Sequence, residues 1–435
     1  MPTAVGPNTF GEENLVFGYD LGDVSNSYKG EPTVNYIHNQ NAVAQNSYTS
    51  WSATSAGTWN AKHPAAIRAY NASGGEITGY YNIGVTDAAN TYHAHWQYDP
   101  ILKKPVVVMN DIDGQWKAKS FGTGMGSWNS YGKGYGDTYT ISWLQWVDNL
   151  SKNAKAGLYC KTTTGSNGFH DGQANSPSAY NTKLNTWQRV YQTYTTSTVR
   201  DLDSTYLSIY MYGHYDVRAT VKIADVQFTW GSHPAQFSAE YERSATQGLL
   251  DLTGDSTIDL TNVSFDSNAQ MTFDGTDDTV ALGDSSQFNI TDSMSVSAWI
   301  KPDNISGWKG IFGGAISGFV HFQLYNGGIN IYVYGPAAAY GNPDSVSIGT
   351  NVWTNVGFTF GGNTLKVYLN GEQLPTTVTG NGANISSNSD VRFGWAYATS
   401  RLFQGRINAL TVHNRALTAS EIKANFNAIK GRFNI

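Results

Sequence analysis

The sequence TNVGFTFGGNTLKVYLNG at residues 354–371 holds two runs in which apolar and polar residues alternate. Alternation with a period of two directs one set of side chains into a core and the other toward water, as in a half-buried β-strand. Residues 361–363 separate the runs, and Asn370-Gly371 follows them. Glycine and asparagine tolerate the positive φ angles of tight hairpin turns. This stretch therefore predicts two antiparallel strands joined by a tight turn.

The alternation extends on both sides of this hairpin, over the region from residue 294 to residue 412. Further runs occupy residues 295–300, 321–325 and 329–334. Short strands that each bury one face and are separated by turns pack as two sheets around a common apolar core. We therefore expect a β-sandwich in this part of the chain.

Several features of this region carry a family resemblance. Trp353 opens one run, Val-Tyr-Leu-Asn-Gly ends the next, and Phe393-Gly394-Trp395 leads to residues 405–410. Together they resemble the laminin-G-like (concanavalin A-like) jellyroll. The resemblance extends from Ala245 to the C-terminus and implies a lectin-type sandwich there.

The first half of the chain holds a second set of strand patterns. They lie at residues 105–110, 138–146, 156–161, 187–194, 206–212 and 220–228. No helical period separates them, which favours a second sandwich over a parallel α/β domain. The order of the last three resembles the jellyroll of a carbohydrate-binding module.

The composition agrees with an all-β protein of two domains. A chain of 435 residues is too long for one ordinary core, and two domains of ~200 residues are expected. Only 14% of residues are charged, 13% are aromatic and 46 are glycine, which suits a protein rich in turns. The net charge of −6 gives no electrostatic basis for binding nucleic acid.

Two observations concern the compartment. No apolar run has the length of a membrane span, and residues 1–7 lack the features of a signal peptide. We expect synthesis in a cytoplasm and no insertion into a membrane. Cys160 is the only cysteine, so no intrachain disulfide forms.

The predicted fold class is all-β, with two tandem antiparallel β-sandwich (jellyroll) domains, an N-terminal arm and a short C-terminal helix. The arm spans residues 1–45, the carbohydrate-binding-module-like jellyroll residues 46–237, and the laminin-G-like jellyroll residues 238–435. The arm has two interpretations: a segment that docks on a neighbouring protein, or the first strand of the next domain.

A helix is predicted near the C-terminus. Thr418 followed by Glu421 fits a capping box, in which each residue satisfies a backbone N–H of the other. Ile422, Phe426 and Ile429 would then share one face. We expect Gly431 to end the helix.

Several blocks of sequence resemble structural proteins of tailed phages, most of all those of marine cyanophages. The blocks are residues 18–23, 28–33, 243–253, 264–268, 273–278, 417–422 and 425–433. The resemblance implies a virion component, of tail-fibre or particle-surface decoration type, assembled in the host cytoplasm. It implies other virion proteins and sister subunits as partners. We expect a homo-oligomer, with a trimer as one form, although the sequence has no coiled-coil heptads to enforce it.

Catalysis is not expected. A glycosidase needs two carboxylates on either side of a cleft, and the chain has no glutamate between Glu242 and Glu372. The pairs Asp111/Asp113 and Asp201/Asp203 lie beside turn residues, where aspartate usually caps backbone amides. The Gly-x-Ser-x-Gly motif is also absent from the sequence.

Calcium is the expected metal, and we expect no other cofactor. Asp274, Asp277 and Asp278 crowd three carboxylates into a glycine turn, and calcium prefers such hard oxygen ligands. By resemblance to carbohydrate-binding modules, Asp225 takes the position of a structural calcium ligand. The alternative is a hairpin loop in which the aspartates only cap amides.

Glycan binding is the main functional hypothesis, with host-surface glycans as the ligands. Sugar sites combine exposed aromatic rings with polar side chains. The candidates in the second domain are Trp308, Tyr332, Tyr334, Tyr340, Trp395 and Tyr397, and those in the first are Tyr212 and His214, near Tyr210 and Tyr215. Alternation places Tyr332 and Tyr334 on the same face of their strand.

Two alternatives remain open. In one, the protein is purely architectural and its aromatic residues pack against sister subunits, because aromatic residues are also enriched at interfaces. In the other, weaker alternative, the protein is a glycan-degrading enzyme.

Overall fold

The computed structural model describes residues 14–39, 67–69, 81–85, 94–111, 118–126, 137–150, 155–161, 167–170, 181–195, 204–212, 219–231, 234–238, 242–266 and 268–435. These residues form antiparallel β-sheets and one short α-helix near the C-terminus. The predicted all-β fold class is confirmed. None of the helices in these residues has the length and hydropathy of a membrane span.

The strands of the first half, in chain order, are β1 (Leu15–Asp20), β2 (Thr33–Val34), β3 (Ile37–Asn39), β4 (Ile67–Ala69), β5 (Tyr81–Val85), β6 (Ala94–Asp99), β7 (Lys104–Asp111), β8 (Ala118–Gly126), β9 (Thr138–Val147), β10 (Lys155–Lys161), β11 (Asn167–His170), β12 (Gln188–Thr195), β13 (Ser204–Tyr212), β14 (Ala219–Trp230) and β15 (Glu242–Arg243).

The second half contains β16 (Ser264–Phe265), β17 (Met271–Asp274), β18 (Val280–Gly283), β19 (Met294–Pro302), β20 (Trp308–Gly314), β21 (Val320–Tyr325), β22 (Gly328–Val333), β23 (Ala338–Gly341), β24 (Thr354–Gly361), β25 (Thr364–Leu369), β26 (Glu372–Thr379), β27 (Val391–Phe393), β28 (Gln404–His413) and helix α1 (Ala419–Ile429). Two 3-10 helices occupy Ser285–Phe288 and Lys430–Phe433.

The chain divides into two compact units. The first, here called the split unit, consists of residues 1–32 and 244–435; the second, the inserted unit, consists of residues 33–243. The sequence placed the boundaries after residues 45 and 237 instead. Residues on both sides of the inserted unit contribute to one core.

The split unit is a sandwich of two sheets. An eight-stranded sheet has the order β16-β17-β28-β19-β24-β25-β26, with β1 also paired to β28. The six-stranded sheet has the order β18-β27-β20-β21-β22-β23. Phe358 and Phe322 come from different sheets, and their ring centroids lie 5.4 Å apart. The apolar faces of the two sheets therefore meet in a common core.

The hairpin at residues 354–371 forms as predicted. Strands β24 and β25 pair from Val356 with Leu369 to Gly361 with Thr364. Gly362 and Asn363 adopt positive φ angles of 55° and 60°. The turn residues therefore take the backbone conformation for which glycine and asparagine are suited.

Strand β1 belongs to the split unit. It pairs antiparallel with β28, and Phe17 and Tyr19 have no exposed surface. The Gly18 amide donates a hydrogen bond to Asp251 Oδ1 over 2.9 Å, and Arg432 donates to Asp20 Oδ2 over 2.6 Å. Residues 15–20 are therefore neither a free docking arm nor a strand of the domain that follows them in sequence.

The inserted unit contains two five-stranded antiparallel sheets, with orders β11-β10-β13-β8-β5 and β12-β9-β14-β7-β6. The core of the second sheet includes Tyr139, Trp143 and Phe228, none of which is more than 1% exposed. Strands β2 and β15 pair with each other. The chain therefore enters and leaves this unit through adjacent strands.

Helix α1 begins with the predicted capping box. Thr418 Oγ1 accepts a hydrogen bond from the Glu421 amide, and the Glu421 carboxylate accepts one from the Thr418 amide. Gly431 does not end the helix, contrary to prediction. The chain continues as a 3-10 helix to Phe433, which brings the Phe433 ring within 4.0 Å of the Trp299 ring.

Candidate functional site

The outer face of the six-stranded sheet gathers aromatic and polar side chains. In β21, Phe322 and Leu324 point into the core, so alternation places His321, Gln323 and Tyr325 on the opposite face. Pairing of β21 with β20 and β22 places further side chains beside these three. Cα partners are His321 with Tyr332, Gln323 with Asn330, and Tyr325 with Trp308.

The segment of residues 395–402 lies across this face. The Gly310 amide of β20 donates to the carbonyl of Arg401 over 2.9 Å. A side chain at Gly310 would collide with the backbone of residues 395, 396 and 401. Tyr397 donates its amide to the Gly314 carbonyl over 3.1 Å and adopts a positive φ of 73°. Glycine in β20 therefore allows this segment to bring Tyr397 and Arg401 onto the sheet.

We call the resulting surface the aromatic face. It consists of Trp308, His321, Gln323, Tyr325, Asn330, Tyr332, Tyr334, Tyr397 and Arg401.

A stack of rings around Arg401 forms one half of the aromatic face. The guanidinium carbon lies 4.1 Å from the ring centroids of both Trp308 and Tyr397. The Trp308 ring in turn lies 4.4 Å from that of Tyr325. Arg401 Nη1 donates to Gln323 Oε1 over 3.1 Å. The face of an aromatic ring attracts a cation, so both rings help to fix the position of Arg401.

His321 lies at the centre of the other half. Its ring centroid is 4.6 Å from that of Tyr334 and 5.0 Å from that of Tyr397. Tyr332 lies 4.4 Å from Tyr334, as predicted from their common side of the strand. Burial, with a smaller effect of the Arg401 charge, lowers the pKa of His321 to about 4. His321 is therefore neutral at pH 7.

The aromatic face combines apolar ring surfaces with polar side chains. Ring faces offer apolar surface to the C–H groups of a sugar. The half-buried Asn330 and Arg401 can hydrogen-bond its hydroxyls, whereas Gln323 is only 2% exposed and holds these two side chains in place. Gln323 Nε2 donates to Asn330 Oδ1 over 3.2 Å, so both amides are held in fixed positions. None of the nine residues carries a carboxylate, whereas hydrolysis of a glycosidic bond requires a pair of them.

The structure unites four of the predicted aromatic residues, Trp308, Tyr332, Tyr334 and Tyr397. Tyr340 is corrected: it lies in the core, 1% exposed, because alternation in β23 turns it inward. Its hydroxyl donates to Asp344 Oδ2 over 2.9 Å.

Trp395 is also corrected, because it is only 6% exposed and packs near the Arg392 guanidinium. Neither Trp395 nor Tyr340 offers a ring face to a ligand. Tyr212 is the last residue of β13. Its side chain and the whole of His214 lie outside the described residues.

Sequence reasoning missed five members of the aromatic face: His321, Gln323, Tyr325, Asn330 and Arg401. The first three alternate within one strand, so their common face was available from the pattern. The tight turn at Asn326-Gly327, with φ angles of 47° and 79°, would have set Asn330 opposite Gln323. Arg401 carried no such signal, because it reaches the sheet through an irregular segment.

The predicted calcium turn brings its three carboxylates together. Oxygen atoms of Asp274, Asp277 and Asp278 lie within 4.8 Å of one another. Two of the residues also cap amides: Asp274 Oδ1 accepts from the Thr276 amide over 2.6 Å, and Asp278 Oδ2 accepts from the Asp274 amide over 2.7 Å. The Thr276 hydrogen bond lowers the pKa of Asp274, whereas burial and the neighbouring carboxylates raise that of Asp278.

Asp225 lies apart from this turn, in the inserted unit. It adopts a positive φ of 51°, and its carbonyl accepts a hydrogen bond from Arg189 Nη1 over 2.7 Å. Burial lowers the pKa of Arg189 to about 10. Calcium binding at Asp225 and at the turn stays a prediction.

Comparison with known proteins supports the fold of the split unit. Residues 274–423 match the family described as the concanavalin A-like lectin/glucanases superfamily. No curated protein matches the chain.

Several solved structures resemble part of the chain. Domain 4 of an extracellular arabinanase from Geobacillus stearothermophilus, in complex with arabinotriose, is 21% identical; the match covers 39% of this chain and 81% of that one, with a TM-score of 0.31. A mutant sialidase from Trypanosoma rangeli is 18% identical, covering 42% and 31%, with a TM-score of 0.33. The receptor-binding domain of a botulinum neurotoxin of mosaic serotype C/D is 16% identical, covering 42% and 49%, with a TM-score of 0.34. The chain thus matches less than half of the sialidase and toxin chains.

Proposed function

Because residues 274–423 match the family described as the concanavalin A-like lectin/glucanases superfamily, we propose that this protein binds glycans through the aromatic face and does not cleave them. The observation that carries the proposal is the stack of Tyr325, Trp308, Arg401 and Tyr397 on the outer face of the six-stranded sheet. Burial in the core removes the large aromatic side chains of the inner face from water, but this stack remains at the surface.

The exposure of the stack supports a ligand of extended shape. Tyr325 is 47% exposed, although burying such a ring stabilises a fold. The stack lies along neighbouring strands on a sheet surface, beside the paired amides of Gln323 and Asn330. A polysaccharide chain presents alternating C–H faces and hydroxyl edges that match such a surface.

We also propose that the protein is a component of a virion. The resemblance to structural proteins of tailed phages supports a role in the virion, in a tail fibre or on the particle surface, with other virion proteins and sister subunits as partners. Three of the blocks that carry the resemblance are in contact: Tyr28 forms a β-bridge with Leu249, and the Gly18 amide donates a hydrogen bond to Asp251. Host-surface glycans would then be the natural ligands.

Substituting Trp308 by Ala tests glycan binding. Loss of one ring of the stack should weaken binding about 10-fold or more, since a buried aromatic contact contributes roughly 1.5–3 kcal/mol. The measurement is a glycan array followed by titration calorimetry on each glycan that binds. Val352→Ala, which truncates a side chain 55% exposed and outside the aromatic face, should leave the affinity unchanged. Equal binding by Trp308→Ala and the wild type would refute the proposal.

A second candidate function follows from the same composition. Tryptophan, tyrosine and arginine are the residues that dominate the energetics of protein interfaces, so the aromatic face could pack against a sister subunit instead. In that case Trp308→Ala would lower the oligomeric state in analytical ultracentrifugation and leave glycan binding unaltered. Release of reducing ends from a bound polysaccharide would favour an enzyme instead.

A further inference from the structure

Arg401 differs from the other arginines of the split unit in its partners. Among the described residues, four of them form ion pairs with carboxylates: Arg392 with Asp390, Arg406 with Asp266 and Asp303, Arg415 with Glu421, and Arg432 with Asp20. Arg401 has no carboxylate partner in that part of the chain; its hydrogen-bond acceptor is the neutral amide of Gln323.

The free donors of Arg401 reach solvent. A guanidinium group has five N–H donors in a planar fork, and one bond to Gln323 engages only part of them. None of its nitrogen atoms is among the buried atoms without a partner. The guanidinium carbon lies over the Trp308 ring and the Tyr397 ring, 4.1 Å from each centroid.

The surroundings leave the charge of Arg401 uncompensated. Desolvation lowers the pKa of Arg401, and the nearby hydroxyls of Tyr397 and Tyr334, which are neutral at pH 7, only partly oppose that effect. His321 is 2% exposed and neutral. The other members of the aromatic face are aromatic rings and amides. The face therefore carries one positive charge and no negative charge at neutral pH.

We propose that the aromatic face recognises an acidic glycan, and that Arg401 binds its carboxylate or sulfate group; this inference rests on the glycan binding proposed above. A planar guanidinium fork matches the two oxygens of a carboxylate or sulfate, and such charge-assisted pairs are stronger than neutral hydrogen bonds. The rings of Trp308 and Tyr325 would stack on the sugar that carries the acidic group or on its neighbour.

The test compares each acidic glycan with its own neutral form. The full-length chain is titrated with oligogalacturonate and with the same oligosaccharide after reduction of its carboxyl groups. A parallel pair consists of a sulfated galactan oligosaccharide and its desulfated form. The wild type should bind at least one acidic form about 10-fold or more tighter than its neutral form, because a charged hydrogen bond contributes more than a neutral one. Whichever pair shows the difference identifies the acidic group as carboxylate or sulfate.

Variants of Arg401 assign the preference to this residue. Arg401→Met should abolish the preference for the acidic form, and Arg401→Lys should keep part of it. The affinity for the neutral form reports whether the stacked rings remain in place, and a thermal melt of each variant reports the fold.

Two results would overturn the inference. Wild-type protein that binds neutral forms as tightly as acidic ones, in a manner that depends on Trp308, would refute the acidic preference and leave glycan binding intact. An Arg401→Met variant that retains the full preference would refute the role of Arg401. Absence of binding to all glycans would refute this inference and the proposed function together.

Discussion

His321 shows how a single residue of the aromatic face is controlled by its surroundings. Its imidazole ring is 2% exposed and lies near the rings of Tyr334 and Tyr397, and its Nε2 atom has no hydrogen-bond partner among the residues that the structure describes. Burial disfavours the charged form, and the nearby Arg401 adds to this effect. Protonating His321 would place a second positive charge beside Arg401.

The pH dependence of stability follows from this shift. The pKa of His321 is about 4 in the folded protein, whereas an unperturbed histidine, as in the unfolded chain, has a pKa of 6.5. Between these two pH values the unfolded chain therefore binds a proton that the folded chain does not. Stability therefore decreases as pH falls from 6.5 toward 4, by about 1–2 kcal/mol at pH 5. Urea unfolding of wild type and His321→Gln at pH 7 and pH 5 checks this: the wild type should lose more. Equal losses would show that His321 is not responsible.

Asp277 separates the two interpretations of the acidic turn. The carboxylates of Asp274 and Asp278 cap backbone amides. Asp277 instead donates its backbone amide to Asp274 Oδ1. If the turn binds calcium, millimolar calcium should raise the melting temperature of wild type by a few degrees and that of Asp277→Asn by less. Asp274→Asn, which weakens a cap, should destabilise the protein without calcium as well. A melting temperature of wild type that is the same in calcium and in chelator would exclude the site.

At the scale of the element, strand β1 determines whether the two sheets of the split unit form a complete core. Its Phe17 and Tyr19 side chains contact Phe393, at ring distances of 6.4 Å and 4.9 Å. Phe393 belongs to the six-stranded sheet and β1 to the other sheet. The two aromatic side chains of β1 therefore fill part of the space between the two sheets.

Replacing Phe17 by Ala should destabilise the split unit strongly. The side chain has no exposed surface, and truncating a buried phenylalanine costs about 3–5 kcal/mol through lost burial and a cavity. Chemical denaturation followed by tryptophan fluorescence measures the loss. The control is Val24→Ala in the same N-terminal segment, which is 54% exposed and should change stability by less than about 0.5 kcal/mol. Similar stabilities of the two variants would contradict the assigned role of β1.

At the scale of the whole molecule, the sequence of the split unit is interrupted by the inserted unit. Thr33 and Arg243 are paired at the two ends of the inserted unit, so their Cα atoms lie about 5 Å apart. The two halves of the split unit can therefore be joined over a short distance once residues 33–243 are removed.

Removing the inserted unit tests this organisation. A chain in which a short glycine linker joins Pro32 to Ser244 should fold cooperatively and keep the aromatic face, whereas residues 244–435 alone lack β1 and should melt at a clearly lower temperature or fail to fold. Circular dichroism melts of both chains, with glycan titration of the joined chain, make the comparison. Equal melting temperatures would show that β1 is dispensable.

The sequence by itself determined the features that depend on neighbouring residues. Period-two alternation predicted several strands in each half and the common side of Tyr332 and Tyr334, because the pleat of one strand fixes which way each side chain points. Glycine and asparagine predicted the hairpin turn, and Thr418 with Glu421 predicted the helix start, since both are local backbone preferences. The glycine-rich strand Ala118–Gly126 was missed, because glycines leave no alternation to detect.

Only the tertiary structure decided the features that depend on residues far apart in sequence. Strand Leu15–Asp20 pairs with residues 409–413, and no local pattern specifies a partner at that separation. Tyr340 and Trp395 were predicted to expose their rings to a ligand, but the packing of the sheets buries both side chains. Arg401 joined the aromatic face because Gly310 lets an irregular segment lie against the sheet. The sequence of a strand specifies which way each of its side chains points. Which strands and segments pack against each other is set by the minimum free energy of the whole chain.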